Sequence, residues 1–243
     1  YLYSNGVEIF SGEAPDNIEV AIDKGQNKQR AVEALEWFLN DVDPHATRGN
    51  DWGWGEVQTA YAQETYGGLL YTFGRMVQAS RRADNAEIIP NTVGLRMPVN
   101  NERPDGHLSR AVVDAFGIIK ESTRDAAVEY IKGFFNSDAF WDLLHQAPLH
   151  SFPPNPDLID TPEFQDNELV SERTDILDFT KQIIEEDLGF VPYLAEPGPG
   201  FNPAFAKMNN NGDIGRLFQR ITVADMDPEE AINRTAQDIR SYI

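Results

Sequence analysis

Two tryptophans in one short glycine-rich segment are the residues best suited to bind a ligand. Residues 51–55 read Asp-Trp-Gly-Trp-Gly, so Trp52 and Trp54 are each followed by a glycine that leaves their rings uncovered. Sugars are held by aromatic rings stacked on pyranose faces and by polar groups that hydrogen-bond the hydroxyls. The segment therefore predicts a carbohydrate-binding loop. The alternative is that the two rings pack this loop onto the core.

A carboxylate inside an apolar run is a further candidate. Asp114 lies in the run Val-Val-Asp-Ala-Phe-Gly-Ile-Ile at residues 112–119. An unpaired carboxylate in apolar surroundings costs several kcal/mol, so a partner or a ligand hydroxyl is expected beside it. The alternative is a structural hydrogen bond.

Residues for catalysis or metal binding form no recognisable pattern. The four histidines, His45, His107, His145 and His150, lack zinc-ligand spacing and are expected to be surface or capping residues. The Asn/Asp/Gly run at residues 209–213 lacks the alternating acids and closing glutamate of a calcium loop. Nucleophile-elbow, phosphate-loop and dinucleotide motifs are absent from the sequence, and carboxylate pairs are uninformative in so acidic a chain. No cofactor and no metal are predicted. Asn233 begins an N-glycosylation sequon, Asn-Arg-Thr, and the alternatives are glycosylation and a chance match to the motif.

The charge balance limits the partners of this chain. Its 243 residues include 40 acidic and 20 basic ones, a formal net charge of -20, and only six of the basic residues are lysine. Such a field repels nucleic acid and anionic membrane surfaces, so neither is expected as a partner. An acidic, lysine-poor surface is typical of haloarchaeal proteins, and we interpret it as salt adaptation rather than as the surface of an ordinary acidic bacterial protein. The absence of cysteine excludes disulfides and thiolate metal sites.

Apolar periodicity and turn signals predict a mixed α/β chain. Strands are predicted for a pair within residues 1–21, with turns at Asn5-Gly6 and Ser11-Gly12, and at 67–77, 87–98 and 112–119. Helices are predicted at 28–40, 56–66, 138–145, 175–186 and 203–220, in the second half of 67–77, from Ser122, and from Asp227 to the end. Ser122 with Asp125, and Asp227 with Glu230, indicate helix N-termini.

Five segments in the same order resemble the family-one extracellular solute-binding proteins, which feed sugars to ABC importers. These segments are 1–6 (Tyr-Leu-Tyr-Ser-Asn-Gly), 61–73 with its Gly-Gly, 87–98 ending in proline, 116–122 (Phe-Gly-Ile-Ile-Lys-Glu-Ser) and 226–239. Each motif alone is weak, and their order carries the resemblance, which covers nearly all of the chain.

The resemblance implies a two-lobed α/β fold of the periplasmic-binding-protein type II kind, with ligand bound between the lobes. By that analogy residues 1–110 and 158–243 belong to the C-terminal lobe and residues 111–157 to the N-terminal lobe. The family pattern begins with a targeting segment and most of one lobe, so this chain is expected to be a fragment that begins midway through the fold. A fragment of this kind is expected to self-associate.

Cleft residues of the family carry over onto particular positions of this chain. Phe73, Gly74 and Arg75 match the turn after the glycine-rich segment. Asp114 falls in the strand before the Gly-Ile-x-Lys motif, where the family commonly has glycines and an aromatic residue, so the site there is either rebuilt around a carboxylate or not used. Asn211 falls where the family places an aromatic ring. Either the ligand is recognised there by hydrogen bonds, or the matching position lies one helical turn away.

The function that the resemblance implies is that of a binding protein and not of an enzyme. It would bind a sugar or oligosaccharide, deliver it to the membrane subunits of an ABC permease, and be anchored at the outer face of the cytoplasmic membrane. The alternative is a secreted carbohydrate-active enzyme whose catalytic acids the sequence does not reveal.

Overall fold

The chain divides into two compact units, each made of segments that are distant in sequence. One unit combines residues 1–51, 96–112 and 187–243, and the other combines residues 52–95 and 113–186. In the described part the structure is mostly helical with one small two-stranded sheet, a mixed α/β composition. The computed structural model describes residues 1–13, 16–46, 53–68, 73–96, 100, 115–186 and 202–243.

The first unit begins with the predicted strand pair. Strand β1 (Phe10–Glu13) pairs antiparallel with β2 (Asn17–Val20), which confirms the pair. The turn predicted at Ser11-Gly12 is wrong, because Gly12 lies inside β1 with a φ of 96°. A β-carbon there would lie 1.9 Å from the backbone oxygen of Asn17, so only glycine permits this approach of the two strands.

Helix α1 (Gly25–Trp37) confirms the helix predicted at residues 28–40. It buries Ala31, Ala34 and Leu35, because these positions recur at helical spacing on one face. A π-helical turn, Phe38–Val42, continues it.

Three helices close the first unit: α9 (Pro203–Asn211), α10 (Asp213–Thr222) and α11 (Pro228–Arg240). The single helix predicted at 203–220 is therefore wrong, because Gly212 adopts a φ of 69° and ends α9. The capping prediction for α11 is confirmed, since the Asp227 carboxylate accepts from two backbone N–H groups of the first turn.

The core of the first unit joins the strand pair to these helices. The C-terminal Ile243 lies outside this core and is exposed. Buried side chains of this core include Val7, Phe10, Val20, Ile22, Leu35, Phe205, Leu217, Ile232 and Ile239.

The second unit opens with helices α2 (Trp54–Ala62) and α3 (Phe73–Arg82), which pack on each other. The loop predicted at residues 51–55 is wrong at its end, because Trp54 is already the first residue of α2. The strand predicted at 87–98 is also wrong over its described part, residues 87–96. A 3₁₀ turn, Ala86–Ile88, and irregular chain stand there instead.

Helices α4 (Arg124–Phe135) and α5 (Asp138–His145) follow, and α5 has the predicted bounds. The capping box predicted for Ser122 and Asp125 is wrong, since α4 begins at Arg124 with no side-chain cap. The strand predicted at 112–119 is wrong for residues 115–119, which pair with no strand, and residues 112–114 lie outside the described residues. No side chain of α4 is buried.

Two short helices, α6 (Pro162–Gln165) and α7 (Glu168–Glu172), precede α8 (Thr174–Glu186), which confirms the helix predicted at 175–186. Neither short helix was predicted, because four or five residues give too little periodicity to recognise. The buried core of this unit consists of Val77, Ile89, Phe140, Leu144, Leu149, Ile159, Phe164, Leu169, Val170, Ile176 and Leu177.

The two units divide the chain at other points than the lobes that the resemblance implies. Residues 52–95 and 158–186, assigned by analogy to the C-terminal lobe, form one unit with residues 113–157. Contacts of α3 with residues 149–150, and of Arg173 with the backbone of Ile89 and Thr92, join these segments. The lobe assignment itself stays a prediction.

Candidate functional site

The predicted ligand-binding residues fall into three groups. Trp54 and the consecutive Phe73, Gly74 and Arg75 belong to the second unit, and Asn211 belongs to the first. Trp52 and Asp114 lie outside the described residues.

Trp54 presents most of its ring to solvent. It is the first residue of α2 and is 71% exposed. The Glu56 carboxylate accepts a hydrogen bond of 2.9 Å from the Gly53 backbone N–H, which fixes the start of the helix. A large aromatic ring at a helix start with most of its surface exposed is able to stack on a sugar.

Phe73 is held from one side by an arginine that the sequence analysis did not single out. The guanidinium carbon of Arg173 lies 4.8 Å from the centroid of the Phe73 ring, a cation–π contact. Arg173 also donates to both carboxylate oxygens of Asp175, at 2.8 and 2.7 Å, and to the backbone oxygens of Ile89 and Thr92. One nearly buried cation therefore joins α3, the turn at 89–92 and the start of α8.

The hydrogen bonds from Arg173 hold the pKa of Asp175 below its ordinary value. The donated bonds are the largest cause, and they outweigh the opposing effect of partial burial. Asp175 is therefore a charged carboxylate at neutral pH. This pair positions Phe73 rather than serving as an acid or base.

Gly74 lets α3 approach the chain at residues 149–150. A β-carbon at Gly74 would lie 2.4 Å from both the backbone carbon of Leu149 and the backbone nitrogen of His150. Leu149 itself has a φ of 62°, a left-handed conformation that is costly for a branched side chain. A strained residue and an obligatory glycine thus meet where three of the predicted site residues lie.

Arg75 is hydrogen-bonded to a histidine. Its Nε donates to Nε2 of His150 over 3.1 Å, which requires a neutral imidazole with its proton on Nδ1. His150 was expected to be a surface or capping residue. The contact could not be found from the sequence, because 75 residues separate the two partners.

Asn211 belongs to a polar cluster that ties the end of the chain to the junction of α9 and α10. Its backbone oxygen accepts from Arg216 at 2.7 Å. Buried Asp213 accepts from both Arg216 and the Tyr242 hydroxyl. Burial, and then the bond to Asp213, raise the pKa of Tyr242. These contacts give Asn211 a structural role.

Metal binding and glycosylation find little geometric basis. In the described ranges no three histidine, aspartate or glutamate side chains come together to hold a metal ion. The sequon threonine, Thr235, is fully buried in α11, where its hydroxyl accepts from Arg220 at 2.6 Å. Modification of Asn233 would therefore require α11 to be unfolded.

Similarity to other proteins assigns no family. A scan of protein-family models and searches of curated proteins and solved structures gave no significant match to this chain. Among the helices of the described residues, none has the length and apolar character needed to span a bilayer.

Proposed function

We propose that this chain is part of the substrate-binding component of a sugar-type ABC importer, with a fold of the periplasmic-binding-protein type II kind. It binds a sugar or oligosaccharide outside the cell and presents it to the membrane permease. Its acidic surface suits an organism that lives at high salt.

The observation that carries the proposal is the discontinuity of the two compact units. The chain passes from one unit to the other four times, after residues 51, 95, 112 and 186. The resemblance also implies a chain that crosses between its two lobes more than once, but it places the crossings after residues 110 and 157, so the two divisions share repeated crossing and not its positions.

The cluster at the start of α3 adds local support. A strained Leu149, a glycine that admits close backbone approach and a half-buried Arg75 meet within one unit. Strained backbone is concentrated at binding sites, because surrounding structure must hold it in place for a purpose. The exposed ring of Trp54, in the same unit, supplies a surface for stacking on a pyranose.

A ligand screen tests the proposal directly. The protein is melted with neutral sugars, acidic sugars, polyols and polyamines. A ligand at 100 times its Kd stabilises the folded state by about 2.7 kcal/mol. For a protein of this size that raises Tm by roughly 5–10 °C.

Two results would contradict the proposal. One is that no sugar raises Tm, although the protein melts cooperatively. The other is consumption of the added sugar, measured by chromatography, which would establish the alternative of a carbohydrate-active enzyme.

A further inference from the structure

Arg75 is a partly buried arginine whose guanidinium contacts no carboxylate among the described residues. Among the described residues nothing accepts from its two terminal nitrogens, and its single protein partner is the neutral ring of His150. Carboxylates pair with Arg173 and Arg220, whereas the partly buried Arg30 donates to the backbone oxygen of Gly6.

Half-buried Arg75 has no anionic partner among the described residues, although the chain is rich in anions. Acidic residues outnumber basic ones two to one, so a carboxylate is available for almost any arginine. Partial burial removes some hydration from the guanidinium, and an anionic partner would compensate for that loss. The absence of such a partner among the described residues leaves Arg75 able to receive one from a ligand.

The hydrogen bond to His150 decides which ligand geometry fits. Because Nε already donates to His150, the two terminal nitrogens of Arg75, Nη1 and Nη2, are the ones that remain to bind a ligand, and they would bind it end-on. Two parallel N–H groups match the two oxygens of one carboxylate and form the strong bidentate pair that arginine makes with carboxylates. A single hydroxyl oxygen pairs less completely with these two N–H groups than a carboxylate does.

The position of His150 is itself fixed by the backbone. Its amide nitrogen donates to the Ala147 oxygen at 3.1 Å, and the residue before it, Leu149, is held at a φ of 62°. Gly74 adjoins the same two residues. The imidazole is thereby placed to hold the guanidinium in one orientation.

We propose that Arg75 binds the carboxylate of an acidic sugar such as a uronate, and that His150 is the positioning residue for its guanidinium. This inference rests on the proposed function and narrows it from sugars in general to carboxylate-bearing ones. The net charge of -20 repels anions at long range, so the two terminal N–H groups of Arg75 must supply the attraction at short range.

Calorimetric titration with matched sugars tests this inference separately from the proposed function. The pairs are glucose with glucuronate and galactose with galacturonate, together with disaccharides of each. Measurements at about 1 M potassium chloride, where the Debye length is near 3 Å, screen the long-range repulsion. The acidic member of at least one pair should bind at least about 10-fold more tightly, as charge-assisted hydrogen bonds predict.

Variants of Arg75 assign the selectivity to this side chain. Both Arg75→Gln and Arg75→Lys should reduce affinity for the acidic sugar by at least about 10-fold, since lysine keeps the charge but not the fork. Affinity for the neutral member should change by less than about 3-fold. Arg82→Gln, at the exposed end of the same helix, makes the same charge change and should leave both affinities unaltered.

Variants of His150 test the positioning role. His150→Ala should lower affinity for the acidic sugar alone, and His150→Gln should restore part of it because its side-chain oxygen accepts from Nε. An equal loss for both sugars in His150→Ala would show a structural role only and overturn this part of the proposal.

Failure of the carboxylate site can be distinguished from failure of the proposed function. Equal binding of neutral and acidic sugars, or acidic-sugar binding that Arg75→Gln leaves intact, overturns the carboxylate site while the proposed function stands. Binding of no sugar at all by the folded protein overturns both.

Discussion

Arg173 shows how a single side chain can hold three segments of the second unit together. Its side chain is 9% exposed, and it reaches a carboxylate, two backbone oxygens and an aromatic ring. Arginine suits this place because its planar fork presents several donors in fixed directions. The start of α3, where Phe73, Gly74 and Arg75 lie, depends on this contact for its position.

Replacing Arg173 should therefore destabilise the second unit strongly. Arg173→Met keeps the apolar stem but leaves the oxygens of Ile89 and Thr92 without their donor, at about 1–3 kcal/mol each. We expect a loss of about 3 kcal/mol or more in urea unfolding. The matched control is Arg124→Met, because Arg124 pairs only with the exposed Glu121 at 3.9 Å and should cost less than about 1 kcal/mol.

Acid unfolding gives a second measurement on the same pair. The pKa of Asp175 is lowered in the folded state, so its contribution to stability is complete above the ordinary value of 3.8 and is lost as pH falls through the folded value. The urea midpoint of the native protein should fall below about pH 4, and Asp175→Asn should reduce that fall. An identical acid dependence in the variant would contradict this account.

The exposed ring of Trp54 distinguishes binding from packing. Trp54→Ala should leave Tm nearly unchanged, because the ring is 71% exposed, and should weaken sugar binding by about 1–3 kcal/mol, or roughly 5- to 150-fold. Trp141→Ala is the control, since Trp141 is partly buried with its ring 4.9 Å from that of Phe140. It should lower Tm and leave affinity unaltered. The opposite pattern in Trp54→Ala would remove this residue from the site.

At the scale of elements, the approach of α3 to residues 149–150 depends on one absent β-carbon. Gly74→Ala would place that carbon 2.4 Å from two backbone atoms, so the helix or the chain opposite must move, at about 1–3 kcal/mol. Gly133→Ala, in exposed α4 with no atom within 4 Å, should instead stabilise by about 0.5–1 kcal/mol. Urea midpoints that shift in the same direction in both variants would contradict this difference.

Elements with local signals could be predicted from the sequence, and those that depend on distant partners could not. Asp227 and Pro228 indicate the start of α11, because they are the capping residue and the first residue of its first turn. Helix α5 is indicated by its apolar face. By contrast, residues 115–119 have strand-forming side chains but form no strand within the described part of the chain, since a strand also requires a pairing partner from another segment.

The candidate site shows the same division. Phe73, Gly74 and Arg75 were expected through the resemblance, whereas His150 and Arg173 were not. Their contacts span 75 and 84 residues, and no local spacing records such a pairing. The need for glycine at position 74 cannot be recognised in the sequence either, because it arises from the close approach of Leu149 and His150.

At the scale of the whole molecule, the charge excess is the dominant physical feature. Forty acidic residues against twenty basic ones leave at least half of the carboxylates without a cation of their own, and ion pairs such as Lys24 with Glu19 lie at exposed positions. Exposed pairs of this kind contribute about 0–1 kcal/mol each. Self-repulsion across the surface therefore opposes folding at low ionic strength.

Salt should accordingly stabilise this protein. Raising potassium chloride from about 0.1 M to 3 M shortens the Debye length from roughly 10 Å to below 3 Å, which screens repulsion between carboxylates that are not in contact. We expect Tm, followed by circular dichroism, to rise steadily over this range at pH 7. The control is the same series near pH 4.4, the isoelectric point of the sequence, where net charge and therefore salt dependence should largely disappear. An uncharged solute at equal osmolality separates screening from general exclusion effects. A Tm that fails to rise with salt at pH 7, or rises equally at both pH values, would show that the acidic surface is not a salt adaptation.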